Sequence, residues 1–185
     1  LLRLKAYQKT LTEVFNLNCS DIVLISFSQP SLLVDLHHSK NIITNLASLP
    51  DFLKKPMLKG ETMRFFSMKD DEKEEIVNNA LQVGPTIPFD SFAGLFKIWL
   101  DVLSTISEEQ REELFTQYIK GVIRSPGKLV SFNMDGIFEV YLALDSKQAE
   151  IIAKTLRDVF STISEAEKNK IFLVIPEQAK IKIGL

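Results

Sequence analysis

His37 and His38 are the only histidines of the chain, set beside Asp35 in "VDLHHSK", and Cys19 is its only cysteine. Any imidazole-based metal site or nucleophilic device must therefore use this pair. Neighbouring residues on a helix point about 100° apart, and the H-E-x-x-H and E-x-x-H spacings that bring ligands to one face are absent from the sequence. Cys19 joining the histidines would give a mixed thiolate–imidazole site, but a surface or helix-end pair accounts for the residues more simply. No G-x-S-x-G nucleophile elbow accompanies them.

Other stretches imitate functional motifs. "GVIRSPGKL", Gly121 to Leu129, has five residues between its glycines where a phosphate loop has four. It also ends in Leu where Ser or Thr would hold magnesium, and it follows a helical pattern instead of a strand. A helix stop and restart is the better reading. The carboxylates Asp70, Asp71, Glu72, Glu74 and Glu75, and Glu108, Glu109, Glu112 and Glu113, fall at helix starts, where the dipole favours negative charge without any pocket. Lys54, Lys55, Lys59 and Arg64 form the densest basic segment and read as solubilising charge around a proline-broken loop. Asn18-Cys19-Ser20 is a lone glycosylation tripeptide. No catalytic, cofactor-binding or metal-binding residue is assigned from these patterns, and none is assigned to a partner surface.

Composition sharpens the exclusions. A net charge of −2 over 185 residues lacks the positive excess that general nucleic-acid binding requires. A single cysteine leaves no intramolecular disulfide and so no redox clue to compartment. No run approaches the roughly 18 apolar residues that span a bilayer, and no segment reads as a signal peptide. The chain opens on Leu1 instead of Met, as an excised domain or a processed form does.

The elements follow from a phrase written twice. "DVLSTISEEQ" begins at Asp101 and "DVFSTISEAE" at Asp158. Each ends one helical run and starts the next. Ser107 with Gln110, and Ser164 with Glu167, fit the capping box, in which the hydroxyl accepts from the third helical amide while that residue's side chain reaches back. The copies are 57 residues apart (158 − 101), or three steps of 19. Intermediate and outlying steps fall on further starts: Pro50-Asp51, Lys69-Asp70, Pro88-Phe89, Ser125-Pro126 and Asp145. Asp145 with Gln148 is also box-like. A 38-residue shift aligns Phe65 with Leu103, Met68 with Ile106 and Ile76 with Leu114, within reach of helical-repeat periods.

The expected fold is all-α: eight to nine helices packed as irregular hairpins, solenoid-like or as a compact bundle. The chain reads as one helical domain over 1–185, less regular over 1–60, where Pro50 and Pro56 break the pattern, and a regular array over 61–185. "FAGLFKIWLDVL" and "KLVSFNMDGIFEVYLAL" are apolar nearly all round and should be central, covered by the helices starting near Asp70, Ser107 and Asp145. The expected core is Phe92, Phe96, Trp99, Leu103, Phe132, Phe138 and Tyr141, each contributing on the order of 2–3 kcal/mol.

The expected function is a non-enzymatic interaction module that binds another protein on a face or groove of the array. The alternative is a carrier or sensor of a hydrophobic small molecule, held in a cavity whose Phe-, Ile- and Leu-rich walls would look the same in sequence as a dry core. The two differ in whether the space between helices 91–105 and 128–144 is filled or open.

Overall fold

In a computed structural model, which describes residues 43–185, the chain is an all-α array. His37, His38, Asp35, Cys19 and the glycosylation tripeptide lie outside the described residues. After a helical stretch over 43–48 come α1 (Asp51–Phe65), α2 (Asp70–Val83), a 3-10 turn (Gly84–Thr86), α3 (Phe89–Thr105), α4 (Glu108–Arg124), α5 (Gly127–Val130), α6 (Met134–Leu142), α7 (Ser146–Thr162), α8 (Glu165–Phe172) and α9 (Glu177–Ile183). No helix among the described residues is long and apolar enough to cross a membrane.

Helix starts at 51, 70, 89, 108, 127, 146 and 165 keep a constant step of 19, and local chemistry sets most of them. Both repeated serines form complete capping boxes. The Ser107 and Ser164 hydroxyls each accept at 3.3 Å from the amides of Gln110 and Glu167, whose side chains bond back to the cap amides. Asp145 accepts from the Lys147 and Gln148 amides at 3.0 Å. At α2 only half a box forms: the Lys69 amide donates to Glu72 at 2.9 Å, while the lysine side chain has no lone pair to return.

α1 packs on α3, α2 on α4, α3 on α6 and α4 on α7, each pair two steps of 19 apart, while α7 also meets α3 and α9. The core runs between these layers through Leu81, Leu103, Leu114, Phe115, Ile152 and Phe160.

Several sequence expectations are corrected. Pro50 and Pro56 do not break the chain: Pro50 precedes α1, and Pro56 lies within it. Phe52 and Pro56 are both exposed, so water can serve the Phe52 carbonyl that proline leaves without a donor. The run 128–144 is not one helix. It divides into α5 and α6 around Ser131–Asn133, because the Asn133 side chain accepts from the Gly136 amide at 3.0 Å and so starts a new helix. Layering is partly reversed. Much of the fully buried surface belongs to α4 and α7, through Leu114, Phe115, Ile119 and Val122 and through Ile152, Ala153, Val159 and Phe160. Of the seven expected core residues, Leu103 and Tyr141 are buried, whereas Phe92, Phe96, Trp99, Phe132 and Phe138 are only partly so.

Candidate apolar binding cavity

Four of those five half-buried aromatics line a cavity of about 320 Å³. On α3, Phe92, Leu95, Phe96 and Trp99 recur at i, i+3, i+4 and i+7, a single helix face. Opposite stand Leu129 of α5, Phe132 of the connecting turn, and Met134 and Ile137 of α6. Ile43 and Leu46 of the stretch 43–48, Leu58, Thr62 and Phe65 of α1, Ile76, Ala80 and Leu81 of α2, and Leu114 and Tyr118 of α4 add further wall. The space between the two apolar runs is therefore open.

Ring contacts tie the aromatic wall together. Phe132 meets Phe92 at 5.6 Å between centroids, Phe92 meets Phe96 at 5.8 Å, Phe96 meets Trp99 at 5.8 Å, and Trp99 meets Tyr118 at 5.4 Å. Offset and tilted pairs of this kind contribute beyond simple burial, so the wall is held in shape whether or not anything rests on it. Gly84 makes the corner possible, since a Cβ there would sit 2.6 Å from the Phe132 ring. The same corner, with Phe92, Phe132 and Ile137, separates the main cavity from a second one of about 200 Å³.

The described ionisable side chains of the lining are Glu61, Arg64 and Tyr118. Arg64 is exposed and holds Glu61 through two N–H donors, at 2.7 and 3.1 Å, so the charge sits at the rim and is internally neutralised. Burial pushes the Tyr118 hydroxyl up to about 12, because the phenolate would lose its hydration in these surroundings. Thr62 adds a second hydroxyl, on a residue only 6 % exposed.

Size decides how the space should be read. A void of 320 Å³ sealed inside a core would cost on the order of 8 kcal/mol at about 24 cal/mol per Å³, comparable with the whole stability of a typical domain, about 5–15 kcal/mol. Water entering from the rim relieves part of this, but apolar walls offer it few hydrogen bonds. The volume also falls within the range of small-molecule sites, about 300–1,000 Å³.

The other stretches singled out by sequence resolve into structure. Gly121 lies within α4, where a Cβ would come 2.9 Å from Val77 of α2, and Gly127 opens α5, so "GVIRSPGKL" is a helix end and a restart. The acidic clusters span the first two turns of α2 and α4, with Glu113 bound to Lys73 at 2.6 Å and Glu74 paired with Arg124. Glu108, Glu112 and Asp158 converge across α4 and α7, but the Lys154 ammonium already pairs with Glu108 and, at 3.0 Å, with Asp158. Those two carboxylates hold the Lys154 ammonium above its usual pKa range. In the basic segment, Lys54 pairs with Asp51, Lys55 with Asp101 and Arg64 with Glu61, while Lys59 makes no ion pair among the described residues.

Sequence reasoning did not nominate Tyr118 or Thr62 as site residues. Tyr118 follows Leu114 and Phe115 on the apolar side of α4, where spacing alone does not separate a cavity wall from a core. Thr62 carries no motif, and only its position on the cavity wall distinguishes it. No protein-family model, curated protein or solved structure matches the chain.

Proposed function

We propose that this protein binds a small hydrophobic molecule between its helices, as a carrier or sensor and not as an enzyme. The observation that carries the reading is the cavity of about 320 Å³ walled by one aromatic face of α3 and by α5–α6. The wall is braced by its own ring contacts, so an occupant would find a formed site and little ordering cost. The described lining offers two neutral hydroxyls and a self-neutralised rim pair, a set suited to holding a molecule more than to transforming one.

Trp99 is the only tryptophan of the chain and lines the cavity, so its emission reports occupancy directly. Titration with cyclooctane should give a saturable change in Trp99 emission. Native mass spectrometry of the freshly purified protein should show a co-purified mass that organic extraction removes. A linear, unsaturable response together with a single bare mass would refute the reading.

The alternative is a protein partner on a face of the array, and it has less behind it. Among the described residues, the most exposed large apolar side chains, Phe52 of α1, Val130 of α5, Leu173 after the end of α8 and Ile181 of α9, are scattered instead of forming a stripe on one helix.

A further inference from the structure

This inference rests on the cavity being a small-molecule site and concerns what the molecule carries. Hydroxyls elsewhere in the array find partners inside the protein: Tyr141 donates to the Ala149 carbonyl at 3.2 Å, and Thr155 to the Ile151 carbonyl at 3.0 Å. The hydroxyls of Thr62 and Tyr118 make no hydrogen bond among the described residues. Neither is sealed off, because no buried side-chain oxygen or nitrogen among the described residues is left without a partner. Each oxygen is therefore accessible, and both residues line the cavity. An unpaired hydroxyl in apolar surroundings is costly, and two of them, contributed by α1 and α4 to one lining, ask for a complement.

The complement has a definable chemistry. Among the described lining residues no cation lies inside to receive an anionic group, since Arg64 at the rim is already held by Glu61. An ion placed among these walls would lose its hydration with nothing to replace it. Tyr118, with its pKa near 12, remains a donor throughout the neutral range.

We infer that the ligand is an uncharged hydrocarbon bearing an oxygen function, a carbonyl or a hydroxyl, which the Tyr118 and Thr62 hydroxyls bind within the apolar walls. A ketone or alcohol of an alicyclic or terpenoid skeleton fits this description; a fatty acid does not.

The test uses the whole chain and three probes of similar shape, cyclooctane, cyclooctanone and cyclooctanecarboxylate, with affinities from ligand-observed NMR or calorimetry. The ratio of cyclooctanone to cyclooctane affinity should fall about tenfold in Tyr118→Phe and severalfold in Thr62→Val, the worth of a single hydrogen bond. The carboxylate should bind least. A ratio unchanged in both variants, or a carboxylate that binds as well as the ketone, overturns the inference while leaving the cavity a small-molecule site. If the wild-type chain binds neither cyclooctane nor cyclooctanone, the functional reading itself falls and this inference with it.

Discussion

Ala80→Phe tests whether the cavity is real space, because the sign of its effect depends on the answer. Ala80 is on α2, one turn before Gly84, and lines the cavity from the side facing the α3 aromatics. A phenyl ring placed there enters a space of about 320 Å³, so it needs no neighbour to move. Burying the ring contributes about 1.5–3 kcal/mol. Against this stand about 0.5 kcal/mol of poorer helix propensity and up to about 1 kcal/mol of lost rotamer freedom. The net gain is about 1 kcal/mol, which for a chain of this length raises Tm by about 2–4 °C. The comparison should use extracted protein, since any retained ligand stabilises the wild type by mass action and would mask the gain. The same variant should bind cyclooctane at least tenfold more weakly by Trp99 emission. In a filled interior, the ring would overpack and cost about 1–3 kcal/mol. A drop in Tm on extracted protein would therefore refute the cavity and everything argued from it.

Three further outcomes follow from the same geometry. Arg111, 8 % exposed, donates to the Leu103 and Ile106 carbonyls at the end of α3 and to the Thr155 hydroxyl. Arg111→Met should lower stability by about 2–4 kcal/mol, the loss of charge-assisted bonds less the desolvation it relieves, seen as a reduced urea midpoint at unchanged m. The Ser164 hydroxyl and amide hold the Glu167 carboxyl below its usual range. The stability this contributes is present above the unfolded pKa and is lost as pH falls through the lower folded one, so Ser164→Ala should flatten the stability profile below about pH 4.5 and cost about 1 kcal/mol at neutral pH through the lost cap. Tyr118 has the opposite sign: its raised pKa favours folding below the unfolded value of 10.0 and loses that advantage as pH rises toward about 12. Wild-type stability should therefore decline above pH 10, and Tyr118→Phe should remove that part of the decline, as followed by urea midpoints across the alkaline range.

The helix frame was legible because its signals are local. Ser107, Asp145 and Ser164 announce their helices within four residues, and a hydroxyl or carboxylate in that position has few other uses. The 19-residue step carries through because each such start resets the register. Charge was read less well. Lys54, Lys73 and Arg111 are each the fourth residue of a helix, and all three are buried, though their helix starts read as solvated faces. Long stems carry these cations under the preceding turn while the charged ends reach Asp51, Glu113 or backbone carbonyls. Lys168 repeats the position in α8, bound to Glu165 at 2.6 Å. An acid at the first helical position with a cation at the fourth is thus a visible sign of this inter-helix junction.

The cavity was not legible, since a stripe of Phe92, Leu95, Phe96 and Trp99 is written the same way whether it meets a partner helix or an open space. What creates the space is a departure from the repeat. Steps beginning at 51, 70, 89, 108 and 146 each hold one helix of 14 to 17 residues. The step beginning at 127 holds a helix of four residues and another of nine, divided at Asn133. That step is the next-but-one partner of α3, the place where a regular array would set a continuous helix against the aromatic face. The division instead swings Phe132 against Gly84 and hands the facing wall to Leu129, Met134 and Ile137. The step beginning at 165 is divided too, into α8 and α9, but adds nothing to the described cavity lining. The division at Asn133 falls opposite the aromatic face, so this irregular step of the frame and the candidate site coincide for a physical reason.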